Sequence, residues 1–299
     1  MRLKELSEKW LADGRMRGLR TIQDMYEQAV WIVKRFDIDI EKINSEWVSS
    51  VRFRRADEPG LRGRPVASAT INRYMATLSA MLHYAHRMEW IDKVPHIPYI
   101  REQNERKVWL TYDQARRLLD ALPRHLEPMA AYTLQTGVRR ANCTGLEWSH
   151  IDMQTKRVRV PGTQFKQGVM FSYPINDEAC AAIARAQERY RHPRLVFHFR
   201  GQKLINPNGK SWAKAVRECG LVPGKVHGLE EGRQLRWHDL RHTWATWHVM
   251  AGTPVHVLKE LGGWSTATVV ERYYHMSESF TSAYANNVTL RNVQELPHM

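Results

Sequence analysis

The chain has 299 residues, 43% hydrophobic and 25% charged, which suits a folded chain able to bury one large core or two ordinary ones and excludes a disordered polypeptide. Forty-five Lys and Arg against 31 Asp and Glu leave a formal charge of +14 and an isoelectric point near 9.9, a balance typical of proteins whose partner carries phosphates. Cys143, Cys180 and Cys219 are widely spaced and form no Cys-x-x-Cys pair, so neither a disulfide framework nor a zinc ribbon is expected.

The first ten residues are charged throughout and lack the apolar run of a signal peptide, and no stretch approaches ~18 consecutive apolar residues. The expectation is a cytoplasmic protein with no membrane partner. Helical spacing predicts helices over 3–12 and 20–35, the second through Ile22, Met25, Tyr26, Ala29, Ile32 and Val33. Residues 51–66, with Pro59-Gly60 at their centre, read as a loop whose Arg52, Arg54, Arg55, Arg62 and Arg64 are candidate DNA contacts, together with Arg73 just beyond. Ile71, Met75, Leu78, Met81, Leu82 and Ala85 then share one helical stripe, which is core.

Pro95, Pro98 and the polar run 101–107 mark a linker, and the domain boundary falls near residue 104, giving domains 1–103 and 104–299. Thr111 with Gln114 three residues on makes a capping-box pattern that starts a new helix. A further helix over 126–137 ends at Gly137, where a left-handed cap would turn the chain and present Arg139. Residues 157–160 and 169–173 alternate like a β-hairpin with Lys166 near its tip. Asn176 caps a helix to about Tyr190, 195–199 reads as a strand, and 211–219 as another helix.

On a helix over 238–250, His238 and Arg241 are three residues apart and share a face, so an imidazole and a guanidinium converge in a way that suits a phosphate. Gly262-Gly263 then turns the chain and places Trp264 ahead of Tyr273, and a tyrosine near two phosphate-binding groups is a candidate nucleophile. Arg139 and Arg241 can each present paired N–H groups, which lysine cannot copy. A rival reading takes His238 and His242 as a metal-binding pair with Asp239 as general base. Arg241, on the turn between them, argues against a dication there, so no metal and no cofactor are expected.

The run His238-Asp239-Leu240-Arg241, with Trp264 and then Tyr273 nine residues on, resembles the second box of the tyrosine recombinase (phage integrase) family, and Thr136-Gly137-Val138-Arg139 resembles its first. Lys166-Gln167-Gly168, followed by Tyr173-Pro174-Ile175, is similar to the family's hairpin lysine segment. The sequence departs from the family at Asn142, where glutamate is common, and at His150, where aspartate is common; the resemblance implies altered support for Arg139. It further implies a mainly α fold with a small antiparallel sheet, an N-terminal helical core-binding bundle and a catalytic domain, closing on DNA as a C-shaped clamp. The implied activity is site-specific cleavage and rejoining of double-stranded DNA through a 3′-phosphotyrosyl bond, with a homotetramer on paired sites and accessory DNA-bending proteins as partners. The catalytic set it implies is Arg139, Lys166, His238, Arg241, Trp264 and the nucleophile Tyr273, with 276–299 as a tail able to dock on a neighbouring protomer. A type IB topoisomerase-like enzyme and a catalytically silent DNA-binding member are the alternative readings.

Overall fold

The structure, a computed structural model, describes residues 1–19, 21–60, 63, 65–102, 106–162 and 168–274. Two compact units divide the chain, Met1–Glu105 and Arg106–Met299. Among the described residues no helix is long and apolar enough to cross a membrane.

The first unit is helical: α1 (Leu3–Met16), α2 (Ile22–Phe36), α3 (Ser45–Asp57) and α4 (Ser68–Arg87). Its core joins Leu3, Leu6 and Trp10 of α1, Ala29 and Ile32 of α2, and Met75, Leu78, Met81, Leu82 and Ala85 of α4. The predicted stripe of α4 is thus buried throughout. Residues 51–57 of the expected loop 51–66 are instead the second half of α3, whose start is fixed by Asn44, its side chain accepting from the Trp47 amide at 2.9 Å. Only Val48 and Val51 of α3 are buried, so the helical period hardly registers in a segment otherwise dense in arginine. Glu58 closes that end, taking hydrogen bonds from Trp31 Nε1 and Arg35 Nε, both at 2.8 Å.

The second unit opens with α5 (Tyr112–Ala121), started by the predicted capping box, in which Thr111 and Gln114 exchange bonds of 2.9 and 3.2 Å. Helix α6 (Glu127–Thr136) ends at Gly137, whose φ of 60° is left-handed. A Cβ there would lie 2.0 Å from the Trp244 ring, so backbone angle and space both require glycine. After α7 (Arg140–Thr144) comes an antiparallel meander, β1 (Ile151–Asp152), β2 (Arg157–Val160) and β3 (Phe171–Pro174), in that order, with Val158 opposite Tyr173 and Val160 opposite Phe171. β2 and β3 are the predicted hairpin; β1 is too short to carry a pattern.

Helix α8 (Asp177–Arg189) begins at Asn176 as expected. The strand expected over 195–199 shrinks to β4 (His198–Phe199), paired with β5 (Gln202–Lys203) across a two-residue turn in which Arg200 and Gly201 have φ of 51° and 75°. Leu195, Val196 and Phe197 are buried, and their pairing is limited to one antiparallel bridge, Leu195 with Glu147, beside the Val196 amide donating to the Leu146 carbonyl at 2.9 Å, too little to make a strand. Helices α9 (Lys210–Glu218), α10 (Trp237–Met250), α11 (Val255–Gly262) and α12 (Thr268–Tyr274) complete the unit. α10 packs against α6 on one side and α11 and α12 on the other. A separate apolar cluster of Trp244, Val249, Leu258, Trp264, Val270 and Tyr273 locks these last helices together.

Candidate active site

The site is assembled where α10 meets two left-handed turns. Arg241 is 3% exposed, and its guanidinium donates Nη1 to the Gly137 carbonyl and Nη2 to the Gly262 carbonyl, the latter at 2.7 Å. Its plane lies 4.1 Å from the centre of the Trp264 ring. A Cβ on Gly262 would meet that same ring at 2.0 Å, so the glycine pair lets the indole slide under the arginine. Burial, and then the neighbouring charge of Arg139, pull the Arg241 pKa down to about 9; it is a cation at neutral pH all the same. Arg139 caps α7 and sends Nη2 to the Gly263 carbonyl at 3.1 Å. Burial lowers its pKa too.

His238 is exposed in the first turn of α10, and the protein around its ring, followed by the charge of Arg241, holds its pKa below the ordinary histidine value. One turn on, His242 meets it edge-on, ring centres 5.0 Å apart. His242 Nδ1 is 2.8 Å from the Tyr273 hydroxyl. Tyr273 is 7% exposed; burial raises its pKa, opposed by Arg241 and Arg272. Its ring lies 5.9 Å from that of Trp264. Tyr274, one residue and about 100° further round the helix, bonds instead to the carbonyl of Thr253.

Arg139, His238, Arg241, Trp264 and Tyr273 therefore converge, although they come from four segments spread over 135 positions from Arg139 to Tyr273. Residues 108–279, which contain all five, match the phage integrase family. The chain belongs to that family. It is 31% identical over 257 residues to the integrase of Salmonella phage P22, an alignment covering 81% of this chain and 62% of that integrase. The chain thus spans less than two thirds of that relative's length. Its fold is shared with the Tn1549 transposon integrase in complex with circular intermediate DNA, with a TM-score of 0.74 at 19% identity over 97% of this chain and 100% of that one. A lambda integrase tetramer bound to a Holliday junction has a TM-score of 0.72 at 18% identity, covering 93% of this chain and 79% of that one. The mainly α fold with a small antiparallel sheet is the integrase fold.

Lys166, Arg62, Arg64 and the tail 276–299 lie outside the described residues. Of the other arginines offered as DNA contacts, Arg54 and Arg73 are exposed and Arg52 is half-buried, while Arg55 turns inward over the Tyr74 ring at 4.7 Å and toward Glu58 at 3.7 Å. His150 is buried and accepts from the Glu147 amide at 3.2 Å, closing the single turn Trp148–His150; Asn142 is half-buried on α7.

Two residues at this site have no role in the phosphate reading of the sequence. His242, given no duty there, touches the tyrosine hydroxyl, and its only advance signal was the i, i+4 spacing that raised the metal reading. Arg106 grips the fully buried Asp239 through Nε at 2.7 Å and Nη2 at 2.6 Å. Partners 133 positions apart leave no local trace. Asp239 also accepts from the Arg236 amide at 2.7 Å, so the carboxylate that the metal reading needed as a base is committed to starting α10 and pairing Arg106. Among the described residues no three potential metal ligands cluster.

Proposed function

We propose that the chain is a site-specific DNA recombinase that cleaves and rejoins strands through a 3′-phosphotyrosyl intermediate, with Tyr273 as nucleophile. The observation that carries this reading is the Tyr273 hydroxyl set beside His242 and Trp264, against the buried Arg241 cation. Attack by the phenol exchanges one phosphate ester for another, so bond energy is kept in the protein–DNA link and no nucleotide cofactor is required. Negative charge grows on the non-bridging oxygens at the transition state, and preorganised donors in a water-poor site stabilise it best. Arg241, already held by two carbonyls and a ring, and Arg139 supply paired N–H groups; His238, on the exposed side, adds a third donor. Lys166 is the candidate acid for the departing 5′ oxygen, by resemblance alone.

The first unit takes the role of a core-binding domain, and each unit contributes to binding duplex DNA. A homotetramer on paired sites follows by analogy with the lambda integrase tetramer on a Holliday junction, with accessory DNA-bending proteins assisting and the nucleoid as the place of work. The high positive charge supports a phosphate-rich partner.

Labelled duplexes covering the DNA that flanks the gene, nicked so that the released end is lost, are the test. The protein forms a detergent-stable adduct on one of them; Tyr273→Phe abolishes it and Tyr274→Phe keeps it. Relaxation of any supercoiled plasmid without site preference would instead indicate the topoisomerase-like reading, and tight binding without an adduct the silent one.

A further inference from the structure

Two imidazoles stand in the site, and the structure separates them. His238 is exposed, and among the described residues it makes no hydrogen bond to Tyr273. His242 sits behind it, half-buried, with Nδ1 at 2.8 Å from the tyrosine oxygen. The His242 ring is fixed from two directions, by the edge-on contact with His238 at 5.0 Å and by the Tyr273 ring at 5.7 Å. The Trp264 ring packs 5.9 Å from the tyrosine ring, and among the described residues the hydroxyl has His242 as its hydrogen-bond partner, which gives it a defined direction.

We propose that His242 aligns the Tyr273 hydroxyl and accepts its proton during attack, leaving His238 to bind the phosphate. The inference rests on the recombinase reading. In the step, a lone pair of the tyrosine oxygen forms the bond to phosphorus and the phenol proton passes to Nδ1 of His242. The bond from phosphorus to the 5′ oxygen breaks, and that oxygen keeps the electron pair and takes a proton from a general acid of the site or from water. In rejoining, the 5′ hydroxyl attacks phosphorus and gives its proton back to the group that had supplied it, the bond from phosphorus to the tyrosine oxygen breaks, and His242 returns its proton to the leaving phenolate.

The electrostatics agree with this division. Burial, then the charges of His238, Arg241 and Arg106 against the opposing Asp239, bring the His242 pKa down to about 4. At neutral pH the ring is uncharged and its Nδ1 lone pair can accept the phenol hydrogen bond, but a base held this low takes the proton of a tyrosine whose own pKa is raised only after the surrounding cations have been neutralised. A bound phosphate offsets the cations that hold His242 down and so increases its basicity at the moment of use.

The nicked duplex on which the wild-type protein forms its adduct is the probe. His242→Asn retains an acceptor oxygen near the Nδ1 position but no basicity. It is expected to slow adduct formation by roughly 10²–10⁴-fold, the range of general base catalysis, with duplex affinity and melting temperature unchanged. His242→Ala is expected to recover part of its rate when imidazole is added. Should either variant fold poorly, isotope-labelled histidine in the full chain provides a second measure: Tyr273→Phe shifts the Nδ1 resonance of one histidine. Wild-type rates in His242→Asn, loss without imidazole rescue in a folded His242→Ala, or no shifted resonance would each overturn the proposal. Absence of any wild-type adduct would sink the recombinase reading itself, and the role of His242 with it.

Discussion

Both units of the molecule bury an arginine against tryptophan, and they treat its charge in opposite ways. In the first, Arg55 lies over Tyr74 and near Trp31, and Glu58 stands 3.7 Å away, itself shared with Arg35. In the second, Arg241 lies over Trp264, but among the described residues no carboxylate pairs with it; its partners are two backbone carbonyls. The nearest acid in sequence, Asp239, is held by Arg106. The first arrangement carries its own anion and is structural. The second leaves a desolvated cation whose charge is unanswered until an anion arrives, which is a costly way to build a core and a suitable way to build a phosphate site. Side-chain type does not separate the two, since both are arginine on an aromatic face; the location of the acid does.

The largest expected effect breaks the comparison at Arg241. Arg241→Met keeps volume and removes charge. Adduct formation should fall by about 10²–10³-fold, the cost of deleting one preorganised transition-state donor, while the melting temperature moves little because the lost carbonyl bonds are offset by a removed charge. A melting temperature that collapsed along with activity would make Arg241 a structural residue like Arg55. Next in size is the converse change, Arg106→Met, which strips Asp239 of its partner inside the protein. Leaving one member of a buried pair behind costs roughly 3–5 kcal/mol, and the 21% exposure of Arg106 puts this case at the low end. Chemical denaturation should show that loss in the second unit; a stability equal to wild type would mean that Asp239 is satisfied without it.

The same contrast explains what sequence could and could not disclose. α4, α5, α6 and α8 were legible because their cores recur at helical spacing or their caps are local, as with Thr111–Gln114 and Gly137. Arg139, His238, Arg241, Trp264 and Tyr273 were legible because two short boxes carry them at fixed spacing. α3 was not, since it buries only two side chains, and a helix held at its edge by Glu58 reaching to α2 has no periodic signature. Nor was the division of labour between His238 and His242: both lie on one helical face, and only the path of α12 decides which imidazole meets the hydroxyl. The Arg106–Asp239 pair joins positions 133 apart in the second unit and can be found only by folding it.

The smallest effect sharpens the comparison from the structural side. Burial alone would raise the Glu58 pKa, but hydrogen bonds from Trp31 and Arg35, with the charges of Arg35 and Arg55, hold it below the ordinary value. A carboxylate with a depressed folded pKa stabilises the fold above its unfolded pKa, about 4.3 for glutamate, and that contribution fades as pH falls through the lower folded value. Glu58→Gln removes it. With Arg35 and Arg54 substantially exposed, solvent screens the cluster, and the loss at neutral pH should be about 0.5–1 kcal/mol, in the range of surface pairs. Unfolding curves of wild type and variant should therefore differ slightly near pH 7 and converge as pH drops below about 4. Adduct formation on the nicked duplex should be unaffected across the neutral range, since Glu58 belongs to the arginine cluster that already has its anion. A cleavage defect in Glu58→Gln, or a stability gap that widened on acidification, would mean that this first cluster also waits for a phosphate, and the distinction between the two buried arginines would fail.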